Sequence, residues 1–126
     1  MFLDIAYTVS LRKPQVPFEK IARELLPRDY SLSLVLCGDS LSRRLNRENR
    51  KKDYSANVLS FPLSKTEGEI FINVRKAAKE AGTNTINARI AHLFVHAILH
   101  LKGLKHSDKM DGTEQRILRR FGFWQK

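Results

Sequence analysis

Residues 92–106 read HLFVHAILHLKGLKH, and the fold turns on how this stretch is taken. It is the second half of an apolar run that reads as one long helix from about Thr85 to Lys102. Gly103, free to turn left-handed, stops that helix. The run does not read as a membrane span. Arg89, the histidines and Lys102 interrupt it, which leaves it too short and too polar to cross a bilayer. It reads instead as the long helix of a globular fold.

Working outward, FLDIAYTVSL (2–11) alternates apolar and polar residues and predicts a first strand. Pro14 and Pro17 then punctuate the chain. PFEKIARELL (17–26) sets Phe18, Ile21, Ala22 and Leu25 at helical spacing, with Pro17 suited to the helix start and Pro27 to its end. SLSLVLCG (31–38) predicts a second strand. Asp39 or Ser40 can cap the short helix SLSRRLNREN (40–49). NVLSFPL (57–63) and GEIFINV (68–74) predict two more strands joined by the polar SKTE, and Pro62 places the first at a sheet edge or a strand end. RKAAKEAG (75–82) is a polar helix closed by Gly82. MDGTEQRILRRFGF (110–123) is a last helix that turns Ile117, Leu118 and Phe121 inward. The order β-α-β-α-β-β-α-α-α predicts an α+β domain spanning 1–126. It has a small four-stranded mixed sheet, helices packed against it, and the long apolar helix bearing the histidines.

Composition limits the function. A chain of 126 residues, 42% apolar, holds one good core. Cys37 is the single cysteine, so neither an internal disulfide nor a cysteine zinc cluster can form. Any metal site must use His, Asp or Glu. A net charge of +10 favours a polyanionic partner, nucleic acid above all. The start MFLDIAYTVS lacks the basic residues and long apolar run of a signal peptide, which points to the cytoplasm and away from membranes.

All four histidines fall within 92–106. A single histidine in an apolar helix is usually a core residue with a hydrogen-bond partner. Here the spacing points elsewhere. His96 and His100, at i and i+4, leave one helix face ~6 Å apart along the axis, close enough to hold one metal ion. Beyond the turn at Gly103, His106 can swing back as a third ligand. Three neutral imidazoles with a fourth position open make a catalytic zinc site, one ion per chain. His92 lies ~12 Å from His100 along the axis, so one ion cannot take both. The turn at Gly103 favours the C-terminal pair and leaves His92 as a packed or supporting residue. The spacing of His96, His100, Gly103 and His106 is that of the H-E-x-x-H-x-x-G-x-x-H zinc peptidases. Position 97, however, is alanine where that motif has its general base, which weighs against peptidase chemistry.

A second segment, LNRENRKKDYSANVLSFPLSKTEGEIFI (45–72), begins with the basic residues Arg47, Arg50, Lys51 and Lys52. On its own this is a solvated helix end. Together, LN…RKKD…NVLSFP…GEI and HAILHLKGLKH, with Met110 and Glu114 downstream, resemble the YbeY family of bacterial endoribonucleases over about Leu45 to Phe123. The resemblance implies an α+β fold with zinc held by His96, His100 and His106. It also implies action on RNA in ribosome assembly: maturation of the small-subunit rRNA 3′ end and ribosome quality control. Arg50 matches an arginine of the family thought to hold or activate the RNA. The implied partners are rRNA and the small subunit, with contacts to ribosomal proteins or assembly GTPases. The sequence departs from the family at Ala97, at Ser55-Ala56 and at Lys105, where an aspartate is usual before the last histidine. Asp108 or Asp111 is then expected to support the ligands in its place.

The chemistry expected is metal-assisted phosphodiester hydrolysis. Zinc lowers the pKa of a bound water and polarises a phosphoryl oxygen. Arg50, His96, His100 and His106 form the catalytic set, with the Arg50 guanidinium on the developing phosphate charge. Arg47, Lys51, Lys52, Lys102 and Lys105 hold the RNA backbone without reading bases. With no acid at position 97, zinc-bound hydroxide and a substrate phosphate oxygen stand as proton acceptors; Glu69 is a further candidate, although a strand-end acid is more often structural or solvated. The rival readings are a non-catalytic RNA-binding assembly factor with structural zinc, completed by Asp108, and a zinc peptidase.

Overall fold

The computed structural model describes residues 1–82, 85–105 and 107–123. Its elements follow the expected order: β1 (Phe2–Tyr7), α1 (Phe18–Leu25), β2 (Ser31–Cys37), α2 (Asp39–Arg50), β3 (Val58–Ser64), β4 (Glu67–Asn73), α3 (Val74–Glu80), α4 (Ile86–Leu101) and α5 (Asp108–Arg120). The four strands form one mixed sheet in the order β1-β2-β4-β3, parallel except for the antiparallel β3–β4 hairpin. β3 is an edge strand, as Pro62 required.

Strand period two divides the sheet into two faces. Leu32, Leu34 and Leu36 of β2 and Ile70 and Ile72 of β4 are fully buried. The register sets Val58 and Ser60 of β3 opposite Ile72 and Ile70, on that same face. Glu69, Phe71 and Phe61 take the other face, where the Phe61 and Phe71 rings meet edge-on at 5.9 Å. The helix α4 is the hub of the core. It touches β3, β4, α1, α3 and α5, and buries Ile90, Ala91, Phe94, Val95, Ala97, Ile98 and Leu99. Phe94 meets Phe18 of α1 edge-on at 5.0 Å.

Two boundaries differ from expectation for physical reasons. β1 ends at Tyr7 rather than running on to Leu11. Its neighbour β2 ends at Cys37, and the last bond of that ladder is Thr8 N–H to the Leu36 carbonyl at 3.0 Å. Beyond it no strand remains to pair with. Helix α2 is capped by Gly38, not by Asp39 or Ser40. Asp39 instead lies in the first turn, where its carboxylate accepts from Asn73 Nδ2 at 2.8 Å; that bond, ahead of nearby lysines, holds its pKa below the usual value. Among the described residues, no helix is long and apolar enough to cross a membrane.

Candidate metal centre and its cleft

α4 begins with a Thr85 cap, whose hydroxyl accepts from Ala88 N–H, and it ends in a tight left-handed turn. Gly103 has φ +87°. Its N–H donates to the His100 carbonyl at 2.9 Å, and Leu104 N–H donates to the Leu99 carbonyl at 3.0 Å. This paired closure of a helix end requires the left-handed residue that glycine supplies without strain. The turn brings the Leu104 carbonyl back over the helix, where it meets His100 Nδ1 at 3.0 Å. A carbonyl only accepts, so Nδ1 carries the proton and Nε2 is left with its lone pair.

His96 is fixed from the opposite side. Its Nδ1 meets Glu114 Oε1 of α5 in a very short contact. The other Glu114 oxygen lies 3.3 Å from His92 Nε2, and His92 Nδ1 lies 3.1 Å from the Arg89 guanidinium. Glu114 is only 6% exposed. Burial alone would push its carboxyl pKa up, but hydrogen bonds from His92 and His96, with their charge, outweigh burial and bring it down to about 2. An ionised carboxylate facing Nδ1 keeps the proton there and leaves the lone pair on His96 Nε2.

The two prepared Nε2 atoms face each other at 2.9 Å. Lone pairs so placed repel unless a proton or a cation lies between them. On a tetrahedral zinc, two imidazole nitrogens stand about 3.3–3.4 Å apart, so a small opening of the pair admits the ion. The donor set therefore fits a zinc-class metal. His106, the third expected ligand, lies outside the described residues. A second grouping overlaps this one: His92, His96 and Glu114 offer ligand atoms within 4.8 Å of one another and could hold a metal ion.

Access separates the two groupings. A cleft of about 300 Å³ is lined by Arg50, residues 57–61 of β3 and its approach, His96, Ala97 and His100. The His96–His100 pair opens into it, whereas Glu114 lies behind His96, in the core. The cleft thus gathers Arg50, His96 and His100 from α2 and α4. Two buried side chains of α2 fix the chain that follows Arg50. Ser42 Oγ donates to the Ala56 carbonyl at 2.7 Å and accepts from Ala56 N–H at 2.9 Å. Asn46 Nδ2 donates to the Tyr54 carbonyl at 2.9 Å. Lys51, left-handed at φ 55°, turns the chain directly after Arg50.

The remaining basic residues do not line the cleft. Arg47 is exposed and 3.7 Å from Asp53, Lys51 and Lys52 are exposed beyond Arg50, and Lys102 and Lys105 are exposed past the end of α4. Glu69 is on the sheet face away from α4, in register with Phe61, and does not line the cleft. Asp108 and Asp111 are exposed in the first turn of α5. The supporting carboxylate is Glu114, which the sequence reading had given no role. The signal was present: Glu114 interrupts the inward stripe of Met110, Ile117 and Leu118, and an acid in such a stripe needs a partner. A larger cleft, of about 710 Å³, lies between the 11–15 loop, α3 and the start of α4, but among the described residues no His, Cys, Asp or Glu lines it.

The family model for Endoribonuclease YbeY matches residues 11–122. An Endoribonuclease YbeY of Aromatoleum aromaticum is 36% identical over 105 residues, covering 75% of this chain and 68% of that protein. One from Helicobacter pylori is 37% identical over 120 residues, covering 90% and 84%. The solution structure of TM1509 from Thermotoga maritima superposes with a TM-score of 0.61 at 21% identity, over 95% of this chain and 89% of that one, and shares the fold. With a family match across most of its length, the chain belongs to the endoribonuclease YbeY family, a family of nuclease enzymes.

Proposed function

We propose that this protein is a zinc-dependent endoribonuclease that hydrolyses single-stranded RNA in the cytoplasm. Its substrate on this reading is the 3′ region of small-subunit rRNA, and it serves rRNA maturation and ribosome quality control. It works on the small subunit, with contacts to ribosomal proteins or an assembly GTPase. The observation that carries the reading is the His96–His100 pair, with both Nε2 lone pairs set by outer partners and opening into the cleft that Arg50 lines.

His96, His100 and His106 would hold the ion. Bound there, zinc supplies a Lewis acid that acidifies a water and polarises a phosphoryl oxygen. The Glu114 carboxylate and the Leu104 carbonyl keep the two described imidazoles in one tautomer and one orientation. The Arg50 guanidinium meets the phosphate and the charge that develops on it. Ala97 lines the cleft where a peptidase would carry its general base, so α4 offers no proton acceptor at that position. A phosphate oxygen of the substrate can take the proton. The basic residues Arg47, Lys51, Lys52, Lys102 and Lys105 add a sequence-independent attraction for the RNA backbone.

The test compares a labelled small-subunit 3′ fragment with an unrelated single strand of equal length. Metal-dependent cutting of both supports the nuclease, and preference for the rRNA fragment supports the substrate. No cutting of either by the zinc-loaded protein rejects the reading.

A further inference from the structure

The wall of the cleft opposite α4 is the edge strand β3, and its pairing parity carries a consequence for binding. Asn73 N–H donates to the Asn57 carbonyl at 2.9 Å. With the register Val58↔Ile72, Leu59↔Phe71 and Ser60↔Ile70, the main-chain groups of Asn57, Leu59 and Phe61 point inward to β4. Those of Val58 and Ser60 point outward. Two observations confirm the parity. Ser31 N–H of β2 donates to the Thr66 carbonyl, so the even-numbered residues of β4 serve β2 and the odd-numbered ones serve β3. Pro62, which has no N–H to offer, occupies the next outward position.

Val58 and Ser60 both line the cleft with His96, His100 and Arg50. Among the described residues, neither outward N–H has an acceptor. Two such donors, two residues apart on one strand, stand ~7 Å apart. That is close to one nucleotide step of an extended single strand. An uncovered strand edge is a ready-made row of hydrogen-bonding groups, and here no helix or loop among the described residues covers it.

Resting on the nuclease reading above, we propose that the edge of β3 is an RNA-docking rail. The main-chain N–H groups of Val58 and Ser60 donate to successive backbone oxygens of a single strand laid along the cleft, and Arg50 engages the same backbone. The rail sets the strand's direction and height over the His96–His100 pair. Main-chain donors read no base, so the contact is indifferent to sequence and demands an extended strand. An A-form duplex cannot lie flat along it.

The test uses the intact protein held zinc-free by a chelator, so that its RNA single strand stays uncut. In wild type, amide exchange by NMR is expected to slow at Val58 and Ser60 when the RNA saturates, while Leu59 and Phe61, already paired with β4, stay unchanged. Ser60→Pro removes one outward donor at a position where an edge strand accepts proline, and it should weaken binding about tenfold. Ser60→Ala, which keeps the N–H, should bind within about twofold of wild type. Unchanged exchange at Val58 and Ser60 in an RNA-saturated protein that cleaves RNA once zinc is restored overturns the rail and spares the nuclease. A wild type that neither binds nor cleaves RNA overturns both. Where Ser60→Pro unfolds, the exchange pattern of wild type decides.

Discussion

Removing the Glu114 carboxylate without changing its shape, by Glu114→Gln, tests which donors hold the metal. In the structure this carboxylate holds His96 Nδ1 and reaches His92 Nε2 from a buried position. If the ion lies at Nε2 of His96 and His100, Glu114 acts one shell out. Losing an outer partner of a metal-bound histidine costs 10–100-fold in affinity, or about 1.4–2.8 kcal/mol. His100→Ala removes a ligand outright and should cost far more. His92→Ala, which takes only a partner from Glu114, should cost less than Glu114→Gln. The assay is competition for zinc against a chromophoric chelator, with urea melts to confirm that each variant folds. The reverse ranking, with Glu114→Gln binding no metal and His100→Ala binding as wild type, would place the ion in the His92–His96–Glu114 group and refute the reasoning.

Three other outcomes follow from single contacts. Ser42→Ala leaves the Ala56 N–H and carbonyl unpaired in a buried site, so it should cost about 1–3 kcal/mol in urea unfolding and lower RNA cleavage through a looser Arg50. Gly68→Ala would drive a methyl group into the Tyr30 hydroxyl and to 3.0 Å from Leu101, so a loss of about 1–3 kcal/mol is expected, read as a lower Tm. Burial, and then the Asp39 charge, push the Cys37 thiol up to about 11. The native protein should therefore resist thiol reagents at pH 8 and react on unfolding. Because this pKa is raised on folding, its stabilising contribution is complete below about pH 9 and falls away as the pH rises towards 11.

The fold was legible because its elements carry strong local signals. The apolar run of α4 and the alternation in β2 and β4 identify themselves, and Pro62 marks β3 as an edge. The overrun of β1 has a different cause: where a strand ends depends on where its neighbour ends, and Cys37 lies thirty residues on. The histidine pair was legible because i, i+4 spacing is a local rule. Glu114 stood out as an acid in an apolar stripe, but its partner did not, because its contact with His96 depends on how α5 packs across α4, eighteen residues away. Asp108 and Asp111, expected to support the ligands, are exposed in the first turn of α5, and the neighbouring His106 lies outside the described residues. Glu69, named only as a candidate proton acceptor, lies on the sheet face away from α4, a placement that depends on the strand register. The outward N–H groups of β3 have no side-chain signature and emerge only from the register.

The central claim is that the His96–His100 metal site cuts RNA, and its most direct measurement is cleavage of a labelled small-subunit rRNA 3′ fragment. The protein is assayed as purified, after chelation and after zinc is restored, with His100→Ala purified in parallel. The account predicts that activity vanishes with the metal, returns with about one zinc per chain and is absent from the variant. Cleavage that survives chelation, or that His100→Ala matches, would contradict it.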